Sequence, residues 1–367
     1  MTSINNYFLR GLFNEDSPTT MSQNIQQTNF KALLPSIIKG HLDYTKEYNI
    51  PKDIMDRLEE CLTYNVSGGK LNRGLSVPDT GRYLIGRLLN EDEFRALATL
   101  GWLTELLQAF LLVHDDIMDK SLTRRGQACW YRRSDIGLAA VNDAVILESL
   151  IYVTLKSEFR EHPSYIQLME LFHEAALQTE LGQLCDMMTA LDDNVDLSRF
   201  SIERYSLIVR HKTSYYSFYL PVTLALHWLE LATPRNLDQV YKIMMPMGEY
   251  FQAQDDYLDV FGDSTVTGKV GTDIQDNKCS WVINEALIRC TPCQRRILDE
   301  SYGRKGKIYE DRVYTVFCEL GMKKIYQEFE EQRIQELRQM ISLIDESEGL
   351  RKDVFTTFLS KISNRSS

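Results

Sequence analysis

From Phe30 onward, apolar residues recur three and four positions apart: Phe30, Leu33, Leu34, Ile37 and Ile38 in one run, and Tyr165, Leu168, Leu171, Phe172, Ala175 and Ala176 in another. This is the spacing of one face of an α-helix, whereas strand-like alternation is scarce. No proline falls between Pro78 and Pro163, leaving that stretch free to form long helices. The pattern predicts helices over about 30–48, 52–64, 92–119, 136–158, 164–190, 201–230, 236–262 and 277–289, with several more within 294–362. Pro246 lies inside one of them and is expected to kink it shortly before an acidic cluster. No repeat of solenoid period and no Pro-, Gly- or Ser-rich linker divides the chain, so the expected architecture is a single all-α domain over 29–367. Residues 1–28, rich in Asn, Ser, Thr and Gln, are expected to form a flexible N-terminal extension.

Composition narrows function mainly by exclusion. A chain of 367 residues, 44% of them hydrophobic, can bury a large core. Its 41 Lys and Arg are outnumbered by 52 Asp and Glu, and a formal charge of −11 repels phosphate backbones, which argues against a nucleic-acid partner. The apolar runs are broken by His, Gln, Asp or Lys before they reach the roughly 20 residues of a membrane span, so none is expected. The seven cysteines are odd in number and scattered, with no secretory leader apparent, and a reducing, cytoplasmic setting is expected. Cys290 and Cys293 form a CxxC, but no second pair stands at zinc-ligand spacing, and the six histidines make no ligand pattern.

Two acidic clusters carry the candidate chemistry. "LLVHDDIMDK" groups Asp115, Asp116 and Asp119, and "FQAQDDYLDVFGD" groups Asp255, Asp256 and Asp259. On a helix the first and fifth positions share a face, where like charges cost a few tenths of a kcal/mol, roughly, in isolation. Each cluster follows a strongly apolar run and so stands at the end of a core helix, not on a solvated stripe. Hard carboxylate oxygens without His or Cys favour Mg²⁺, which keeps several waters and completes its shell with substrate phosphates. The cations a phosphate needs are near: "SGGKLNRG" sets Lys70 and Arg73 beside Gly68 and Gly69, whose bare backbone admits an anion, and Arg124 and Arg125 stand just beyond the first cluster.

Together with "ELLQAFLLVHDDIMDKSLTRRGQACWYR", "QTELGQLCD", "KTSYYSFYLP" and "GEYFQAQDDYLDVFGDSTVTGKVGTDIQDNKCSWV", these phrases resemble the short-chain trans-prenyl diphosphate synthases, in particular the eukaryotic farnesyl diphosphate synthases, over about residues 30–362. The resemblance implies an isoprenoid-synthase helical bundle around a deep central cavity, a homodimer, and a reaction in which an allylic diphosphate ionises and isopentenyl diphosphate attacks the carbocation. It implies that Asp115 and Asp119 hold two of about three Mg²⁺ ions and Asp255 the third, supported by Asp256 and Asp259, with Asp116 behind the ligands. Gly69, Lys70, Arg73, Gln108 and Arg125 correspond to the isopentenyl diphosphate site, and Arg124, Lys212 and Lys269 to clamps on the allylic diphosphate. Lys278 and Asp273 correspond to residues that order a closing loop, and Thr213 and Gln252 to oxygens aimed at the cation. Lys212, Thr213, Gln252 and Arg124 are thus the catalytic candidates, with the departing diphosphate as proton acceptor.

The sequence departs from the family pattern at three places. Classical members carry aromatic residues at both the fifth and fourth positions before the first motif, forming the floor that stops chain growth; here these are Phe110 and Leu111. The smaller Leu111 predicts a longer tunnel, and hence geranylgeranyl or longer products beside farnesyl diphosphate. A strict fifteen-carbon synthase is the alternative, should a neighbouring helix fill the gap. His114 stands where a small residue is usual, and the C-terminal "SKISNRSS" keeps only Lys361 and Arg365 of a basic ending. A terpene cyclase would lack "GGKLNRG" and the second "DDYLD", and an inactive scaffold would have lost one of these phrases.

Overall fold

The structure is a computed structural model and describes residues 21–191, 195–262 and 271–363. Its helices are α1 (Met21–Lys46), α2 (Lys52–Val66), α3 (Asn72–Ile85), α4 (Glu91–Met118), α5 (Ala140–Phe159), α6 (Tyr165–Thr189), α7 (Ile202–Val209), α8 (Leu220–Trp228) and α9 (Pro234–Phe261). Beyond these come α10 (Trp281–Arg289), α11 (Pro292–Ser301), α12 (Lys307–Glu319), α13 (Met322–Ser342) and α14 (Lys352–Ser363). The all-α expectation holds. Helix α1 starts at Met21, so residues 21–28, expected within the N-terminal extension, are helical, and residues 1–20 lie outside the described residues.

Helix α4 is the axis of the bundle. A capping box between Asn90 and Glu93 starts it, and Leu97 through Phe110 is buried without a break. Only a helix enclosed on all sides carries such a run. By length and composition α4 could cross a membrane, as could Gly137–Phe159, contrary to the reading that no stretch comes near; but 83% of the apolar window in α4 is buried inside the fold. The corresponding share for Gly137–Phe159 is 44%, because α5 leaves Val141 and Val145 in solvent.

Helix α3 was missed in the sequence pattern because Gly74, Pro78 and Gly81 suppress its propensity. Packing decides instead. Pro78 supplies no amide to the carbonyl of Gly74, and Gly101 of α4 closes on that carbonyl so tightly that a Cβ there would lie 2.3 Å from its oxygen. Phe30 of α1 completes the contact, stacking on Trp102 with ring centroids 4.6 Å apart and accepting its indole N–H at 2.9 Å. Helix α9 continues through Pro246; the carbonyl left without a donor belongs to Lys242, on the exposed face.

A second core, built from α7, α10, α11, α12 and the start of α13 around Val209, Trp281, Leu298, Phe317 and Tyr326, reaches α9 at Ala253. Helix α9 therefore joins both cores while presenting its last turns to the site. Gly101→Ala is expected to destabilise the fold by about 1–3 kcal/mol through overpacking against the Gly74 carbonyl. A lower urea midpoint at unchanged m-value would show it.

Candidate active site

The segment after α4 turns back on it as a two-residue hairpin, β1 (Thr123–Arg124) with β2 (Gln127–Ala128). Its central residues Arg125 and Gly126 both have positive φ, 54° and 76°, as a type I′ turn requires. The hairpin aims Arg124 at the first acidic cluster: Nε and Nη2 donate to Asp116 Oδ1 at 3.0 and 2.6 Å, and Nη2 lies 3.4 Å from Asp115 Oδ2. Asp116 is buried; burial pushes its carboxyl up, and Arg124 opposes the shift.

The expected helix over 201–230 is α7 and α8 separated by a π-helical run, Arg210–Tyr219. Pro221 has no amide to give the preceding turn, and the widened run is pressed between α6 and α9. A Cβ on Gly182 of α6 would lie 2.3 Å from the amide nitrogen of Lys212, so the two backbones touch. That contact sets Lys212 between two helices: Nζ is 2.7 Å from Asp186 Oδ2 and 3.3 Å from Asp115 Oδ1. Burial would lower the Lys212 pKa, but Asp186, Asp115 and Asp119 outweigh it and hold the ammonium charged. Thr213, next in the run, donates to Gln252 Oε1 at 3.1 Å.

The second cluster repeats the first. Asp256, grouped from the sequence with the metal-supporting carboxylates, is fully buried and its oxygens are taken by protein donors. Oδ1 accepts from Gln252 Nε2 at 2.9 Å and Lys278 Nζ at 3.2 Å, and Oδ2 from the Trp281 amide at 2.8 Å. Lys278 also pairs with Asp273 at 3.3 Å, and the Asp273 amide donates to Asp259 Oδ2 at 3.0 Å. Burial disfavours the Lys278 charge, yet Asp273, Asp256, Asp255 and Asp259 together raise its pKa well above the ordinary value. In each cluster, then, the middle aspartate is withdrawn and cation-bound.

The Asp119 carboxyl lies within electrostatic reach of Lys212 and, more weakly, of Lys278, which links the surroundings of the two clusters. Asp119 is exposed, yet desolvation by the side chains around it, together with Asp115, pushes its carboxyl up to about 7.

A third group converges from α3. Arg73 Nε donates to Ser217 Oγ at 2.8 Å, and its guanidinium lies 5.0 Å from the Tyr216 ring centroid. With the Gln108 amide oriented to satisfy its neighbours, its oxygen accepts from Arg73 Nη1 at 2.9 Å and its nitrogen donates to Glu105 at 3.1 Å. Lys70 is exposed, and Gly69 leaves room for the Arg125 side chain, whose Nε would come within 2.9 Å of a Cβ there. Phe110 is buried and meets His114 edge-on at 5.1 Å; Leu111 is half-buried against the main core. Lys269 and Arg365 lie outside the described residues; Lys361 pairs with Asp79 at 2.6 Å.

The family described as polyprenyl synthetase matches residues 55–319. The chain belongs to the polyprenyl synthetase family. It is 51% identical to the farnesyl pyrophosphate synthase of Schizosaccharomyces pombe, covering 94% of this chain and 99% of that one, and 43% identical to that of Gallus gallus, covering 99% and 98%. The fold is similar to a T. brucei farnesyl diphosphate synthase complexed with a bisphosphonate, with a TM-score of 0.87, 29% identity, and coverage of 93% of this chain and 100% of that one. This polyprenyl synthetase also carries a site residue that the sequence reading quoted without assigning: Asp186, four residues after Gly182, where a lone acid ends a helix with a buried face.

A carboxyl whose folded pKa is raised above its unfolded value favours the folded state only while protonated, so stability falls as pH climbs from about 4 towards 7. Asp119→Asn is therefore expected to raise the thermal midpoint of the metal-free protein at pH 8, with little change near pH 4, in paired melts across that range.

Proposed function

We propose that this cleft grips two diphosphates at once, and the observation that carries the reading is the lodging of Lys212 and Lys278 among the carboxylates of two clusters at one mouth. The chain is a trans-prenyl diphosphate synthase that makes farnesyl diphosphate by joining isopentenyl diphosphate to allylic starters, dimethylallyl and geranyl diphosphate. In our reading Arg124, Lys212, Lys269 and Lys278 hold the allylic diphosphate, and Lys70, Arg73, Gln108 and Arg125 hold isopentenyl diphosphate over the bare backbone of Gly69.

Among the described residues no three His, Cys, Asp or Glu side chains gather closely enough to hold a metal alone. The carboxylates of Asp115, Asp119, Asp255 and Asp259 nevertheless suit Mg²⁺ shared with phosphate oxygens, and the buried Asp115 Oδ1, beside the Lys212 ammonium at 3.3 Å, makes no well-aligned hydrogen bond. Mg²⁺ bound there neutralises charge on the departing diphosphate. Asp116 and Asp256 position the cations that flank it.

The residues of the chain account for the remaining steps. Breaking the allylic C–O bond sends its electron pair to the diphosphate, where Lys212, Arg124 and Lys278 stabilise the growing charge more than they stabilise the intact ester. Thr213 gives its hydrogen to Gln252, leaving hydroxyl lone pairs to face the carbocation. The isopentenyl double bond supplies the electrons of the new C–C bond, and the proton then lost passes to the departed diphosphate.

Asp115→Ala is expected to lower kcat by about 10³-fold or more while isopentenyl diphosphate still binds, in steady-state assays paired with equilibrium binding. Wild-type turnover in that variant would sink the assignment.

We further propose that Leu111 lets some chains reach twenty carbons when isopentenyl diphosphate is in excess, and that Leu111→Phe restores a fifteen-carbon limit. Labelled product ladders from both proteins decide this, and a single fifteen-carbon product from the wild type would overturn it. We also read residues 29–367 as one synthase domain, cytoplasmic in keeping with its free cysteines. It is homodimeric in this reading, a second copy covering the exposed Val141 and Val145 of α5 and Leu177, Leu181 and Leu184 of α6.

A further inference from the structure

The cations assigned to isopentenyl diphosphate come from two separate segments. Lys70 and Arg73 follow the end of α2, whereas Arg125 sits at the tip of the hairpin. Between the segments lies a cavity of about 100 Å³, floored by Ala109, Leu112 and Val113 of α4 and walled by Tyr64 and Trp130. What fixes the width of that gap determines whether one diphosphate can touch both sides.

Two ties cross it. Arg125 Nη1 donates to the carbonyls of Asn65 and Ser67, at 3.3 and 3.1 Å, and the Tyr64 hydroxyl donates to the Ala128 carbonyl at 2.7 Å. Arg125 would have to share its guanidinium between those carbonyls and a diphosphate, with Nη1 on the carbonyls and Nε and Nη2 left for the ligand. The Tyr64 tie involves no substrate-binding group and persists.

Its two ends are rigidly held. The Tyr64 ring packs on Trp130 with centroids 5.1 Å apart, and Arg133, paired with Glu60 at 2.6 Å, lies over both rings. Trp130 in turn donates its indole N–H to Asp143 at 2.9 Å, and Asp143 is paired with Arg57 of α2 at 2.6 Å. The hydroxyl thus spans two braced elements, with α2 on one side and β2 on the other.

We propose that Tyr64 is a positioning residue for isopentenyl diphosphate: its bond to the Ala128 carbonyl sets the spacing between the segment after α2, which carries Lys70 and, at the start of α3, Arg73, and the hairpin carrying Arg125. The inference rests on the isopentenyl diphosphate site proposed above. It bears chiefly on that substrate: Arg124, on the same hairpin but assigned to the allylic diphosphate, is held in place by its own pairs with Asp115 and Asp116, and Lys212 and Lys278 approach from the π-helical run and the segment before α10.

The test is Tyr64→Phe, which removes the hydroxyl and keeps the ring stack, assayed beside Arg73→Ala. For Tyr64→Phe the KM for isopentenyl diphosphate is expected to rise about fivefold, with kcat within twofold and the allylic KM and thermal midpoint near wild type. An unchanged KM for isopentenyl diphosphate would overturn the proposal, as would equal rises for both substrates accompanied by a lower thermal midpoint, the mark of a merely structural role. Arg73→Ala separates the two levels of the argument. If it too leaves that KM unchanged, the site assignment fails and the tie with it; if it raises the KM and Tyr64→Phe does not, only the tie fails.

Discussion

The structure depends on holding mutually repelling carboxylates at one cleft before any ligand arrives. Asp115 on α4 and Asp119 at its C-terminal end, Asp255 and Asp259 on α9, and Asp186 on α6 would drive the three helices apart unless cations stood among them. Lys212 and Lys278 do so from half-buried positions, where each pairing matters more than on an open surface. Arg124 and Lys278 additionally bind the withdrawn middle aspartates, Asp116 and Asp256. The same two charges that stabilise the resting cleft are the ones a diphosphate would recruit, so binding exchanges one set of anionic partners for another and strips no lone charge of its counterion.

Such placement requires backbones to come closer than ordinary side chains permit. Gly101 against the Gly74 carbonyl sets α3, and with it Arg73, beside Gln108 on α4. Gly182 admits the π-helical run to α6, and Gly248 admits Ser214 of that run to α9, where a Cβ would lie 2.3 Å from the serine hydroxyl. The charged site is thus positioned by contacts that carry no charge.

Most of this was legible in the sequence where periodicity or composition is strong. Helices such as α4, α6 and α9 have long apolar faces, and their observed bounds lie within two residues of those the pattern predicts. Both acidic clusters stand out because like charges at helical spacing need a reason. Helix α3 was not legible, since its glycines and proline are placed for a neighbouring helix that no local window contains. The hairpin was hidden because two-residue strands carry no alternation, although Arg-Gly between short polar strands fits its turn. Asp186 lacked a companion acid, and its meaning comes only from the lysine that meets it across α6. The withdrawal of Asp256 was invisible for the same reason: its partners Lys278 and Trp281 lie more than 20 residues away.

The π-helical run has a further consequence, one of register. Within it the chain carries Lys212 and Thr213 towards the acidic clefts and Ser217 towards Arg73, at a winding wider than that of an α-helix. Restoring an α-helical winding by losing one residue would turn everything beyond the deletion by about 100° and withdraw it by about 1.5 Å. Ser217 would leave Arg73 while Lys212 stayed with Asp115, uncoupling the two proposed diphosphate sites without altering a cation in either. The phase of this short run is therefore a determinant of the enzyme in its own right, kept by the count of residues between Val209 and Leu220 as much as by their identity.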